Sequence, residues 1–197
     1  MNTARRTLNL FGFVDIFYPF SYRWLIFRDA PMNFKKGPIE GVVITSFRKF
    51  VDERGWLTEI FRHDDLPGWF RPEMSYVSVT NPGVLRGPHE HVDQADLFCW
   101  VGPGDFKLTL WDNRPDSPTH LNRMEVAMGV NNPGSAIIPK GVVHCYRCIS
   151  HEPGFVINCP DRLFMGKGKA EPIDEIRHED DPQNPFVKDE IARRASL

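Results

Sequence analysis

The sequence predicts an all-β fold, a closed barrel or double-sheet jelly roll. Three observations support this. From Val42 onward the chain is a succession of short runs of alternating character; seventeen prolines and fifteen glycines punctuate them; and no long helical period occurs before the end. Roughly ten strands at a spacing of ~8–12 residues fit a jelly roll better than an open sheet.

In order, the runs are VVITSF (42–47), WLTEIF (56–61), MSYVSVT (74–80), VLRGPHEH (84–91), ADLFCWV (95–101), FKLTLWD (106–112), RMEVAM (123–128), SAIIP (135–139), VVHCYRC (142–148) and GFVINC (154–159). FKLTLW shows the period of two most plainly, placing Phe106, Leu108 and Leu110 on one face and Lys107, Thr109 and Trp111 on the other. HEDDPQ (178–183) reads as a surface connection, and KDEIARR (188–194) as a short C-terminal helix. The first 27 residues begin basic and turn apolar, but Asp15 and Arg23 interrupt them and no small-residue cleavage site follows, so neither a bilayer span nor a cleaved leader is expected. Met32 opens a stretch that reads as a natural start. The expected organisation is an N-terminal extension over 1–37, one domain over 38–189 and a tail over 190–197.

A chain of 197 residues, 41% hydrophobic and 25% charged, is long enough to bury a core without staples. Its net charge of −2, with scattered basic residues, gives no reason to expect nucleic acid or an anionic membrane as partner. Cys99, Cys145, Cys148 and Cys159 lie in apolar strand runs and read as buried thiols of a reducing, cytoplasmic compartment. Cys145 and Cys148 form a CxxC inside a strand, where a structural role outweighs a redox or zinc one.

The chemistry concentrates in VLRGPHEHVDQADLF (84–98). His89 and His91, at i and i+2, share one strand face and can reach a single cation; Asp96 follows five residues later, and PKGVVH (139–144) adds His144. Three imidazoles and a carboxylate suit Zn²⁺, Fe²⁺, Mn²⁺ or Ni²⁺. The same histidines could instead be hydrogen-bonded wall residues, and both readings stand. Among other polar residues, Arg54 could simply close a turn, Glu59 could belong to a solvated face, and Asp189 could be a surface charge. Trp56, Trp69, Trp100 and Trp111 are core or stacking residues.

Gly83, His89-Glu90-His91, Asp96 and Gly102, then Gly134, Pro139-x-Gly141 and His144, resemble the two motifs of the cupin superfamily. That likeness implies a double-stranded β-helix with His89, His91, Asp96 and His144 in one barrel mouth. DERGWLTEIF (52–61), GVLRGPH (83–89), WDNRPDSPTHL (111–121) and IPKGVVH (138–144) are similar, in order over about residues 40–189, to the dTDP-4-dehydrorhamnose 3,5-epimerase family, a metal-free cupin branch. The resemblance implies epimerisation next to the C4 ketone of a dTDP-linked 6-deoxyhexose, by proton abstraction and return from the other face. It further implies a homodimer whose strands complete each other's sheets.

Carried over by position, the resemblance makes His89 the base and gives it a carboxylate from the chain's end, for which Asp189 stands. Arg86 meets the substrate's polar groups; Arg54 and Glu59 hold the nucleotide, Arg54 at the diphosphate. The chain also departs from the pattern. Asp96 stands where the family has a lysine if three loop residues are deleted, no tyrosine follows Tyr146, and His91 replaces a common glutamine. A bound cation would make these changes coherent by polarising the ketone, with Tyr146 or Glu90 then moving protons. Two other readings remain open: a metal-dependent isomerase or dioxygenase, and a sugar-binding cupin without catalysis.

Overall fold

A computed structural model describes residues 32–194; the N-terminal apolar segment lies outside the described residues. The strands are β1 (Lys35–Lys36), β2 (Val43–Ser46), β3 (Phe50–Asp52), β4 (Gly55–Leu57), β5 (Tyr76–Thr80), β6 (Leu85–Glu90) and β7 (Asp96–Trp100). They continue as β8 (Asp105–Asp112), β9 (Asn122–Gly129), β10 (Gly134–Ile138), β11 (Val142–Cys148), β12 (Gly154–Asn158) and β13 (Ile176–Arg177), and α1 (Pro185–Arg194) closes the chain. One sheet has the order β1-β9-β8-β11-β6-β13, the other β2-β10-β7-β12-β5, and β3-β4 form a separate hairpin. This is the expected cupin jelly roll, with each of the ten runs supplying a strand.

Phe106, Leu108 and Leu110 enter the core between the sheets with Phe98, Trp100, Ile138 and Val156, as their alternation predicts. The opposite face of β8 is buried too. Trp111 packs against Phe34 and Phe186, the latter from α1. The helix therefore covers the outer face of the first sheet. Asn184 caps it, its side-chain oxygen accepting from Phe186 N at 3.0 Å, and Pro185 occupies a first-turn position where a missing N–H costs nothing. Residues before position 38 and after position 189 pack onto the sheets. Lys35 and Lys36 pair with β9, and Glu190 is buried against Arg147. Two contacts cause this: a short N-terminal strand and a helix that docks on the sheet.

Cys145 and Cys148, three apart, face opposite sides of β11, one toward α1 and the other into the inter-sheet core. All four cysteines are buried and free, so the CxxC is structural. Trp100 and Trp111 are buried, whereas Trp56 and Trp69 are exposed. Among the described residues, no helix is long and apolar enough to cross a membrane.

Candidate functional site

The two sheets part at one end around a cavity of about 1320 Å³, walled by β5, β6, β7, β11 and the segment after β12. Arg86 and His89 both line it although they stand three apart on β6. The register explains how. Arg86 faces Tyr146 and His89 faces His144, so an extra residue of β6 is accommodated between the two pairs. The bulge passes through Gly87, at φ +83°, where a Cβ would lie 2.5 Å from the His144 carbonyl oxygen; no larger residue fits.

The three predicted histidine ligands come together, and Asp96 meets two of them. Asp96 Oδ2 lies 3.1 Å from His91 Nε2 and 3.5 Å from His144 Nε2, and the rings of His89 and His144 meet edge to face at 4.4 Å. One nitrogen from each of His89, His91 and His144 falls within 4.8 Å of the others. Backbone carbonyls hold the outer ring nitrogens: His144 Nδ1–H donates to Val142 O at 3.0 Å and His91 Nδ1–H to Asp174 O. Gln94 and Asn158 amides donate to Asp96 Oδ1 at 3.0 and 2.8 Å.

Burial drives the imidazoles apart electrically. It pushes His89 well below its ordinary range, helped by the neighbouring His144 and His91, and brings His144 down to about 4. For His91 burial also acts downward, but the Asp96 carboxylate outweighs it and favours the protonated ring. Asp96 responds in kind, held ionised by His91 against its burial. Burial raises the phenols of Tyr146 and Tyr76, Tyr76 to about 12. Tyr146 crosses the cavity to meet Ser78 Oγ at 3.1 Å, and Tyr76 accepts from Asn158 Nδ2 at 3.0 Å.

Asp189 is not in this cavity. It accepts from Trp111 Nε1 at 2.9 Å and pairs with Arg123 at 2.7 Å on the outer face of the first sheet, because α1 docks there. The carboxylates facing His89 belong instead to Glu175, 3.6 Å from Nδ1, and Glu179, at 4.0 Å. Two clamps hold their segment. The Asp174 carboxylate accepts from the backbone N–H groups of Val92, Asp93 and Gln94 at 2.8–2.9 Å, and His178 Nε2 bonds Glu90 Oε1 at 2.9 Å. Glu90 also accepts from Asn113, so it serves the clamp and does not face the cavity as a proton carrier.

Arg54 and Glu59 do not line the cavity either. Arg54 is bound to Asp52 in the β3–β4 hairpin and Glu59 to Arg62. The motif residues Asp112, Arg114, Ser117 and Thr119 form a closed network in which the buried Asp112 carboxylate accepts from the other three side chains, so this string shapes a turn. Sequence reasoning missed Glu175, Glu179 and Tyr76. The run EPIDEIRHED contained a signal, carboxylates spaced through a proline-bounded stretch, but its composition matches any solvated connection.

Residues 36–171 match the family described as dTDP-4-dehydrorhamnose 3,5-epimerase. Over 127 residues the chain is 35% identical to the probable low-salt glycan biosynthesis epimerase Agl13 of Haloferax volcanii, covering 64% of this chain and 81% of that one. It is 36% identical over 120 residues to the spore coat polysaccharide biosynthesis protein SpsL of Bacillus subtilis, covering 60% and 78%. Among solved structures, the dTDP sugar isomerase of Desulfovibrio desulfuricans G20 superposes with a TM-score of 0.64 at 25% identity, over 76% of this chain and 89% of that one. A dTDP-6-deoxy-D-glucose-3,5-epimerase from Legionella pneumophila, in complex with dTDP-4-keto-L-rhamnose, gives 0.61 at 26% identity over 78% and 81%.

Proposed function

The chain belongs to the dTDP-4-dehydrorhamnose 3,5-epimerase family, and from that premise we propose how its cavity works and which residues act. It is an isomerase, an epimerase of nucleotide-linked 4-keto-6-deoxy sugars serving glycan or polysaccharide synthesis. The ketone acidifies the hydrogens on the flanking carbons. Inversion requires a base on one face, an acid on the other, and relief for the negative charge that collects on the ketone oxygen.

The observation that carries the assignment of roles is the meeting of His89, Glu175 and Glu179 in the same cavity as Tyr146. His89 and the two glutamates form the basic wall that removes the α-proton. The C–H electron pair moves into the enolate, and the Tyr146 hydroxyl, kept protonated by burial, returns a proton from across the cavity. Arg86, steadied by Thr80 Oγ1 at 2.9 Å and Val79 O at 2.8 Å, offers its charge to the substrate's polar groups. The deciding experiment incubates the purified protein with a dTDP-linked 4-keto-6-deoxyhexose in D₂O. Deuterium appearing at C3 or C5 supports the reading; none would leave only a sugar-binding protein.

Arg54 and Glu59 act on a second copy. The hairpin exposes Val51, Trp56 and Leu57 at 77%, 50% and 63%, and β5 leaves an open sheet edge with Val77 and Val79 outward. An apolar hairpin and an unpaired edge are each liabilities alone and complementary together. Their pairing in a homodimer would bring Arg54 to the partner's nucleotide. The four buried free thiols fit a cytoplasmic setting.

A further inference from the structure

We propose that His89, His91, Asp96 and His144 bind one divalent transition-metal ion, a cofactor the family resemblance does not call for. The proposed use of the ion rests on the epimerase reading; its binding does not.

The outer contacts of the cluster leave His144 Nε2 without a hydrogen-bond partner, while His91 Nε2 meets Gln94 Nε2 at 3.3 Å and Asp96 Oδ2 at 3.1 Å, contacts that an ion would replace once the ring gives up its proton. His144 spends its Nδ1 proton on Val142 O and His91 its Nδ1 proton on Asp174 O, so in the neutral rings both Nε2 lone pairs point at Asp96 Oδ2. Gln94 and Asn158 occupy only Oδ1 of that carboxylate, leaving Oδ2 to the cluster. Carbonyls on the far nitrogens and amides on the far oxygen are the supports that orient metal ligands. Two buried nitrogens, His89 Nδ1 and His144 Nε2, have no hydrogen-bond partner. Such orphans are costly and rarely kept without a function. A cation satisfies the His144 lone pair and neutralises the buried Asp96.

Three nitrogens and one oxygen select a first-row ion such as Zn²⁺, Fe²⁺, Mn²⁺ or Ni²⁺ over Mg²⁺ or Ca²⁺. The ion also resolves the charge problem at Asp96, where the resemblance expects a lysine. Its positive charge supplies the relief for the enolate oxygen that a carboxylate alone would oppose. With His89 engaged as a ligand, Glu175 or Glu179 takes the α-proton. The C–H pair enters the enolate and Tyr146 returns a proton, with no net oxidation or reduction.

The test uses the full chain, purified without chelator or polyhistidine tag, in elemental analysis, followed by Co²⁺ reconstitution of chelator-treated protein read by visible absorption. About one ion per chain and ligand-field bands, both lost in His91→Ala, are expected. Asp96→Asn, nearly isosteric, is a second variant should His91→Ala fail to fold, and it should lower Co²⁺ affinity at least tenfold. Folded wild-type protein that carries no metal and binds no Co²⁺ overturns the proposal. Deuterium uptake by protein that neither carries metal nor binds Co²⁺ overturns the site and spares the epimerase; uptake that persists in chelator-treated protein able to rebind Co²⁺ upholds the site and overturns its use, as does stoichiometric metal without deuterium uptake.

Discussion

Asp96 turns Oδ2 toward His91 Nε2 at 3.1 Å from a position only 1% exposed to solvent. A carboxylate this deep persists only when fully partnered. Removing its charge while chelator keeps cations away therefore strands His91. Asp96→Asn is expected to lose about 3 kcal/mol of stability under those conditions, measured by urea unfolding.

The two glutamates beside His89 separate from the helix aspartate by kinetics. Glu175→Gln and Glu179→Gln, singly or together, are expected to lower kcat by about a hundredfold or more with modest change in KM, as loss of a proton-transfer group does. Asp189→Asn should keep kcat and instead cost about 1–2 kcal/mol of stability, because it loosens α1 from Trp111 and Arg123. A collapse of kcat in Asp189→Asn, with Glu175 and Glu179 indifferent, would reverse the assignment.

Stability at acid pH should report on Asp112. Burial opposes its ionisation, but donation by Arg114, Ser117 and Thr119 outweighs that and holds its pKa at about 2, below the ordinary 3.8. A depressed native value stabilises the fold in full above the unfolded pKa and ceases to do so as pH falls through the native one. Asp112→Asn should cost about 2 kcal/mol at neutral pH, and the gap from wild type should narrow between pH 4 and 2 in denaturant titrations. A gap constant across that window would show that the carboxylate's charge is irrelevant.

Arg54 should act across the dimer. Arg54→Ala is expected to raise KM about tenfold with kcat nearly kept, the pattern of lost uniform binding. Mixing it, after unfolding and joint refolding, with inactive His89→Ala subunits should restore roughly a quarter of wild-type activity at low substrate, since half the dimers are mixed and each holds one intact pocket. No restoration, or monomers in light scattering, rules out the shared site.

The strands were legible because alternation is a local property. FKLTLWD alternates in its residues, with Phe106 and Leu108 buried around a half-buried Lys107, although β8 is covered on both faces beyond Leu108; VVHCYRC is buried throughout and reads as strand from its short apolar run. The two-residue strands β1 and β13 were not, since two residues carry no period. HxH, Asp96 and PxGxxH pointed to one cluster, and the fold closes it. Arg86 and His89 share a cavity only through the bulge at Gly87.

The sequence by itself determined the jelly roll, the family and the grouping of His89, His91 and His144 with Asp96, because each is written in short strings whose spacing fixes a strand face. Tertiary structure alone decided which carboxylates attend His89. Glu175 and Glu179 reach it because Asp174 and His178 tether an otherwise ordinary acidic segment over the cavity, while Asp189 is carried to the far side of the sheet by a helix seeking cover for Trp111 and Phe186. Contacts across more than seventy residues have no local signature to read.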